Sequence, residues 1–172
     1  IFFNADTFNQ PLSKWNVSNV TNMSGMFFGA EVFNQPLGAW DVGKVANMGG
    51  MFWSVTNFNQ ALNRWDTSTV TNMEGMFMYA QTFNKPLNNW NVSKVTNMSS
   101  MFFDAYSFNQ PLDRWDVSNV VDMSEMFNVA KSFNQPLNNW DVSNVTNLSG
   151  MFGSNFNQPL NNWDVSNVTN MS

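Results

Sequence analysis

The sequence predicts a repeat solenoid in which about seven copies of one segment stack as successive coils. The same phrase returns along the whole chain, most fully as FNQPLNNWDVSNVTNLSGMF over residues 133–152. The composition is rich in Phe (17) and Met (13) but only 11% charged, which suits columns of apolar side chains. One coil cannot bury its own apolar side, whereas stacked coils can build a continuous core. Six tryptophans lie 25 residues apart and a seventh follows after 23: Trp15, Trp40, Trp65, Trp90, Trp115, Trp140 and Trp163.

The first part of each coil has the spacing of a leucine-rich repeat. Leu12, Trp15, Val17 and Val20 follow the pattern L-x-x-L-x-L, and a 25-residue period falls in the range of roughly 20–29 residues for such repeats. Alternation around Trp15 and Val17 predicts a short strand with both side chains pointing inward. The predicted fold class is therefore a right-handed, leucine-rich-repeat-like coil stack, mainly β or α/β, with one short parallel strand per coil.

The second part of each coil should return on the opposite side. Apolar residues from Val20 to Phe33 recur at steps of three or four, which suits a turn of helix or 3₁₀-like bends. We expect the Trp and Met-Phe columns to form the core, a row of ligand-stacking Trp platforms being the alternative. The uninterrupted Asn column that includes Asn9 and Asn34 is expected to bond to backbone groups at the bends.

Composition argues against several functions. The chain has no Cys and no His, so thiol and imidazole chemistry are absent. The net charge of −5 and the pI near 4.3 argue against nucleic acid as a partner. No stretch approaches the ~20 consecutive apolar residues of a membrane span. Nearly every acid recurs in a column of equivalents or stands singly on the surface, whereas acid–base catalysis needs carboxylates in unlike environments. We therefore expect no enzyme and no cofactor.

An acid or its amide follows each column Trp and should point outward on the strand face. Basic residues precede the Trp in alternate coils and would moderate the acidic strip. The acidic column could also take up Ca²⁺, which prefers oxygen ligands, although its spacing matches no calcium loop. The candidate strand-face contacts are Lys14, Asp41, Arg64, Asp66, Arg114, Asp116 and Asp141.

The copies differ most just after the Met-Phe pair, and function in a repeat protein is expected where copies diverge. This position is apolar through five coils and becomes Asn128 in the sixth. Such a stripe, if exposed, would mark a protein, membrane or ligand contact. The alternative is that it folds under the bend and thickens the core. The candidate residues, which we name the contact edge, are Phe3, Phe28, Trp53, Met78, Tyr79 and Phe103.

The recurring phrase resembles the roughly 25-residue, mycoplasma-type repeat of unknown function found in bacterial and some protist surface proteins. That family is similar to the BspA-type leucine-rich repeats, and the resemblance covers the whole chain. It implies a cell-surface or secreted protein and brings no catalytic residues with it. We expect residues 1–172 to form a single array excerpted from a longer protein.

Two functions remain open at this point. The first is a non-catalytic extracellular or cell-surface module that binds a protein or a glycan in adhesion. The second is a structural spacer, or a subunit of a filament or larger assembly. Several Asn-Xaa-Ser/Thr triplets, including Asn16 and Asn144, would be glycan acceptors in a eukaryotic secreted protein and a by-product of the repeat otherwise.

Overall fold

The computed structural model describes all residues from Ile1 to Ser172 and contains neither a helix nor a strand. Each coil is instead a series of β-turns, in which a backbone N–H donates to the carbonyl three residues earlier at 2.8 to 3.3 Å. In the first full coil the turns join Leu12 to Trp15, Val17 to Val20, Met23 to Met26, Gly25 to Phe28, Phe27 to Ala30 and Ala30 to Phe33.

The turns explain the apolar spacing that the sequence displays. In five of these six turns the first and last residues point into the coil, as buried Leu12, Val17, Met23 and Phe27 do. The turn from Gly25 to Phe28 is the exception, because Phe28 lies on the surface. The two middle residues of those five turns point outward, and most of these positions are polar or glycine. The middle residues of the Gly25–Phe28 turn, Met26 and Phe27, are buried. Gly25 and Gly29 have φ of +58° and +69° at the third position of their turns, as type II turns require. Steps of three therefore reflect successive β-turns. Of the two structures that the spacing allowed, the turn of helix does not form, whereas bends with hydrogen bonds between residues three apart do.

The predicted leucine-rich-repeat-like solenoid with one parallel strand per coil is wrong. No backbone hydrogen bond joins the Trp-Xaa-Val segments of neighbouring coils. Only Asn16 lies between the turn that ends at Trp15 and the turn that begins at Val17. The extended segment is therefore too short to pair as a strand with the neighbouring coil. The inward side-chain directions were predicted correctly, since Trp40 and Val42 are buried and Asp41 between them is exposed.

Backbone pairing between coils occurs instead after the Val-Thr dipeptide. One residue of each coil forms an isolated parallel bridge with the next coil, as in Asn22 with Asn47 and Asn47 with Asn72, and Phe127 adds a second bridge with Phe152. From there, alternate N–H groups (Met23, Gly25, Phe27 and Gly29) donate to carbonyls of the following coil at 2.8 to 3.0 Å. The turn-rich segment, which the sequence suggested was only a return path, is thus what binds the coils together.

The core runs through the whole stack as columns of aromatic rings. Phe77 stacks on Phe83 of its own coil at 4.1 Å and on Phe102 of the next coil at 5.6 Å between ring centroids. Both phenylalanine columns are fully buried in the middle coils. Offset or parallel ring contacts at these distances add to the stability gained from burial alone. The predicted packing role of the Met-Phe columns is confirmed.

The Trp column is also internal, and each indole N–H has a defined partner. Trp90 Nε1 donates to the carbonyl oxygen of Leu62 in the preceding coil at 3.0 Å. The same bond is made by Trp40, Trp65, Trp115, Trp140 and Trp163. Trp15 makes no such bond and is 43% exposed. Packing, not a row of ligand platforms, accounts for this column.

The Asn column bonds to the backbone as predicted. Asn34 Oδ1 accepts the backbone N–H of Asn59 in the next coil at 3.0 Å. Gln60 Nε2 donates to the same oxygen at 3.0 Å and to the Asn34 carbonyl at 3.1 Å. Each Asn therefore satisfies a backbone donor that the turn leaves free.

Candidate functional site

The contact edge lies on the outside of the coil stack and is partly exposed. Phe3 is 63% exposed, whereas the other five residues are half-buried. Phe3 stacks on Phe28 at 4.7 Å between centroids, and Phe28 contacts Trp53 at 5.0 Å with the rings tilted by 46°. These three rings form one continuous aromatic strip along the first three coils. Neither alternative from the sequence describes the edge fully, because its rings lie on the surface but each also packs against a neighbouring ring.

The remaining edge residues form a second group. Tyr79 meets the ring of Phe103 edge-on at 5.4 Å between centroids. Tyr79 occupies the position after the apolar column, where its φ of +59° turns it aside. Met78 lies one coil after Trp53 and approaches Gly75, where a Cβ would stand 3.8 Å from its own Cβ. The edge therefore consists of an aromatic strip at Phe3, Phe28 and Trp53 and a separate pair at Tyr79 and Phe103.

A groove beside the aromatic strip was not predicted from the sequence. It has a volume of about 280 Å³, with Phe28 and Trp53 as its apolar walls. Trp53 reaches across the glycine column, its Cε3 lying 3.5 Å from where a Cβ on Gly50 would stand and 3.4 Å from one on Gly75. The available signal was the Gly49-Gly50 pair, because other coils carry a side chain at the position of Gly49. The remaining lining is Ser24, Gly25, Asn47, Gly49, Gly50, Asn72 and Glu74.

The charged strand-face candidates are exposed, and the aspartates among them accept backbone hydrogen bonds within their own coil. Asp66 Oδ1 accepts the backbone N–H of Ser68 at 3.0 Å, and Asp41, Asp116 and Asp141 cap the residue two positions ahead in the same way. Lys14, Arg64 and Arg114 are exposed at an outer position of the turn that precedes each Trp. A partner contact through this face stays a prediction.

These caps affect the ionisation of three carboxyl groups. Hydrogen bonds from the Ser68 hydroxyl, and then from its backbone N–H, lower the pKa of Asp66. The Ser143 hydroxyl and N–H lower the pKa of Asp141, and the N–H and hydroxyl of Ser166 lower that of Asp164. Each bond favours the ionised carboxylate because the carboxylate is the acceptor.

The caps lead to a prediction for acid stability. A carboxyl whose pKa is lowered by folding stabilises the protein above its unfolded pKa of about 3.9, and this contribution is lost as the pH falls through the folded pKa. We expect the combined substitution Asp66→Asn, Asp141→Asn and Asp164→Asn to reduce the loss of stability below about pH 4. Asn can make the same cap, as Asn16 and Asn91 do at 3.1 Å. Thermal unfolding followed by circular dichroism across this pH range checks it, and identical acid dependence in both proteins contradicts it.

No group of three or more Asp or Glu side chains lies close enough together to hold a metal ion. Calcium uptake on the acidic column accordingly stays an untested prediction. The chain also contains no helix with the length and apolar character needed to cross a membrane.

A stack of near-identical coils with columnar aromatic cores and a variable outer edge defines a tandem-repeat protein. The chain belongs to the family described as Mycoplasma protein of unknown function, DUF285, whose family model matches residues 1–88 and again residues 79–172. The predicted mycoplasma-type repeat family is thus confirmed. No curated protein and no solved structure matches the chain.

Proposed function

We propose that this chain is a non-catalytic repeat module of the cell surface or extracellular space that binds a protein or a glycan through the contact edge. The observation that carries the proposal is the aromatic strip of Phe3, Phe28 and Trp53, which lies outside a core that is already complete without it. Aromatic side chains that are partly exposed and mutually supported are typical anchors of binding surfaces.

Variation between coils supports the same surface. The core columns recur with few changes, whereas the edge position changes from Phe28 to Trp53, Met78, Phe103 and Asn128. A position that packing does not constrain to one residue can be adapted to a partner. The finer resemblance to BspA-type surface repeats and the cell-surface location belong to this proposal as predictions.

The experiment compares the native chain with a Phe28→Ser, Trp53→Ser variant. The probes are a glycan array and immobilised collagen, fibronectin and laminin, with binding measured by biolayer interferometry and folding by thermal unfolding. We expect the native chain to bind at least one probe and the variant to bind at least about tenfold more weakly, which corresponds to about 1.4 kcal/mol. Tyr106→Ser is the matched control, because Tyr106 is an aromatic residue 44% exposed outside the contact edge.

Three outcomes distinguish binding through the contact edge from the alternatives. Weaker binding by a folded variant, with native binding by the control, supports the contact edge. Equal binding by the variant places the contact elsewhere and overturns the proposal. A native chain that binds none of the probes also contradicts the binding function and favours the spacer or assembly role.

A further inference from the structure

The groove between the first three coils has features that the contact edge alone does not explain. Its walls are aromatic, its floor is made of glycine backbone, and its rim carries amide and carboxylate groups from Asn47, Asn72 and Glu74. A volume of about 280 Å³ is close to the lower limit of ordinary small-molecule sites, roughly 300 Å³. The space therefore suits one ring-sized group.

The two amides of the rim are held in fixed orientations. Asn47 Oδ1 accepts the backbone N–H of Gly49 at 2.9 Å, and Asn72 Oδ1 accepts that of Glu74 at 3.0 Å. Because each oxygen is bound, each Nδ2 must point the other way, and neither Nδ2 donates to a group of the chain. Asn97 and Asn147, which follow in the same column, instead donate Nδ2 to Glu74 and Asp122 at 3.3 Å. The groove thus carries oriented donors that are free for a ligand.

Gly49 keeps these amides uncovered. A Cβ at this position would lie 3.2 Å from both Asn47 Oδ1 and Asn72 Nδ2. The equivalent position in the other coils holds Ser24, Glu74, Ser99, Ser124 and Ser149. Only the second full coil lacks a side chain there, and this coil also supplies Trp53. The missing side chain and the largest aromatic residue of the edge therefore occur at the same place.

The chemistry of the lining selects among ligands. No Lys or Arg lines the groove, so a phosphate or sulfate would find no cationic partner. The centroids of Phe28 and Trp53 are 5.0 Å apart, so the two rings contact each other and a ligand must lie beside them, not between them. A sugar ring offers apolar C–H faces for aromatic walls and hydroxyls that both donate and accept. Asn Nδ2 groups, the Glu74 carboxylate and the Ser24 hydroxyl complement those hydroxyls.

We infer that this groove binds a single neutral pyranose ring of a glycan, with Phe28 and Trp53 contacting its C–H face, Asn47 and Asn72 donating to its hydroxyls, and Glu74 accepting from one. The inference rests on the proposed binding function and specifies the ligand class. The aromatic strip extends to Phe3, so a longer glycan can continue along it beyond the bound ring.

Gly49→Ser tests the inference because the substitution fills the groove with a side chain that the fold accepts elsewhere. Ser99 and Ser124 occupy the equivalent position, and their hydroxyls donate to Asn97 and Asp122 at 2.8 and 2.7 Å. The matched control is Gly43→Ser in the same coil, whose Cβ would make ordinary contacts of 3.4 Å or more outside the groove. Saturation-transfer NMR with galactose, glucose, mannose and N-acetylglucosamine, and the glycan array, measure binding.

We expect the native chain and Gly43→Ser to bind at least one of these sugars, and Gly49→Ser to lose at least about tenfold in affinity with an unchanged unfolding midpoint. Sugar binding that survives Gly49→Ser overturns the groove assignment. Binding of tetramethylammonium in place of sugars overturns the ligand class. If the native chain binds only immobilised proteins, and Phe28→Ser, Trp53→Ser abolishes this while Gly49→Ser does not, the sugar inference fails and the proposed function stands.

Discussion

Replacing Phe102 by alanine is expected to lower the free energy of unfolding by about 3–5 kcal/mol. Phe102 is fully buried at the crossing of several aromatic contacts. Its ring stacks on Phe108 at 4.0 Å and on Phe77 and Phe127 in the adjacent coils at 5.6 and 5.5 Å. Removing the ring leaves a cavity whose walls are columns of rigid rings, so the surrounding coils cannot readily collapse into it. Guanidinium denaturation followed by circular dichroism measures the loss.

Phe103→Ala is the matched control for this substitution. Phe103 is the next residue in the chain but belongs to the contact edge, where it is half-buried and touches Tyr79. We expect a loss of about 1 kcal/mol or less, the value of one exposed aromatic pair. Similar losses for the two substitutions would contradict the separation between a buried Phe column and an outer edge.

Phe102→Ala should also weaken cooperativity along the stack. In a linear array each coil contacts only its neighbours, so one weak interface can divide the array into two parts that unfold separately. Amide hydrogen exchange should then show protection retained in the first coils at denaturant concentrations where the last coils have opened, or the reverse. Uniform loss of protection throughout the chain would contradict this expectation.

Trp90→Phe is expected to destabilise the chain by about 2–3 kcal/mol, combining a lost hydrogen bond with a partial cavity. Trp90 is 3% exposed, and its Nε1 donates to the Leu62 carbonyl at 3.0 Å. That carbonyl also accepts the backbone N–H of Trp65, so one oxygen supports both a turn and the contact between coils. Phenylalanine keeps much of the ring but cannot donate. Equilibrium denaturation, monitored by the fluorescence of the remaining Trp residues, measures the change in the free energy of unfolding.

Trp15→Phe provides the control at an equivalent position of the repeat. Trp15 is 43% exposed and its indole N–H has no partner in the chain. The loss should stay below about 1 kcal/mol, as is usual for a partly exposed substitution outside a hydrogen-bond network. If Trp15→Phe lowers the free energy of unfolding as much as Trp90→Phe does, the indole hydrogen bond does not account for the stability that the Trp column provides.

In the Trp-Xaa-Val segment the sequence predicts the side-chain directions correctly but not the backbone structure. Alternation indicates that Trp40 and Val42 point inward and Asp41 outward, and this is correct. The same alternation was interpreted as a β-strand, which was wrong, because side-chain direction does not report where the backbone N–H and C=O groups bond. Here the turns that end at Trp40 and begin at Val42 use the neighbouring backbone groups within the coil itself.

At the groove, the sequence predicts only some of the residues that the structure brings together. Phe28 and Trp53 were predicted to belong to the contact edge from the variation between coils, and they do lie together on the surface. Asn47 and Asn72 belong to a column that is Asn in every coil except the one with Asp122, so their sequence positions give no sign of a site. What distinguishes them is the absence of a side chain at Gly49, which leaves their amide groups beside an open groove. This opening depends on contacts between coils.

The sequence by itself determined the period, the number of coils and the residues that form the core columns, because identical side chains 25 residues apart can be buried together only by stacking. Only the tertiary structure decided that the coils are built of β-turns without strands, since that depends on which backbone groups pair across coils. It also decided that Gly49 opens a groove beside Phe28 and Trp53, because a missing side chain becomes a cavity only when neighbouring coils enclose it.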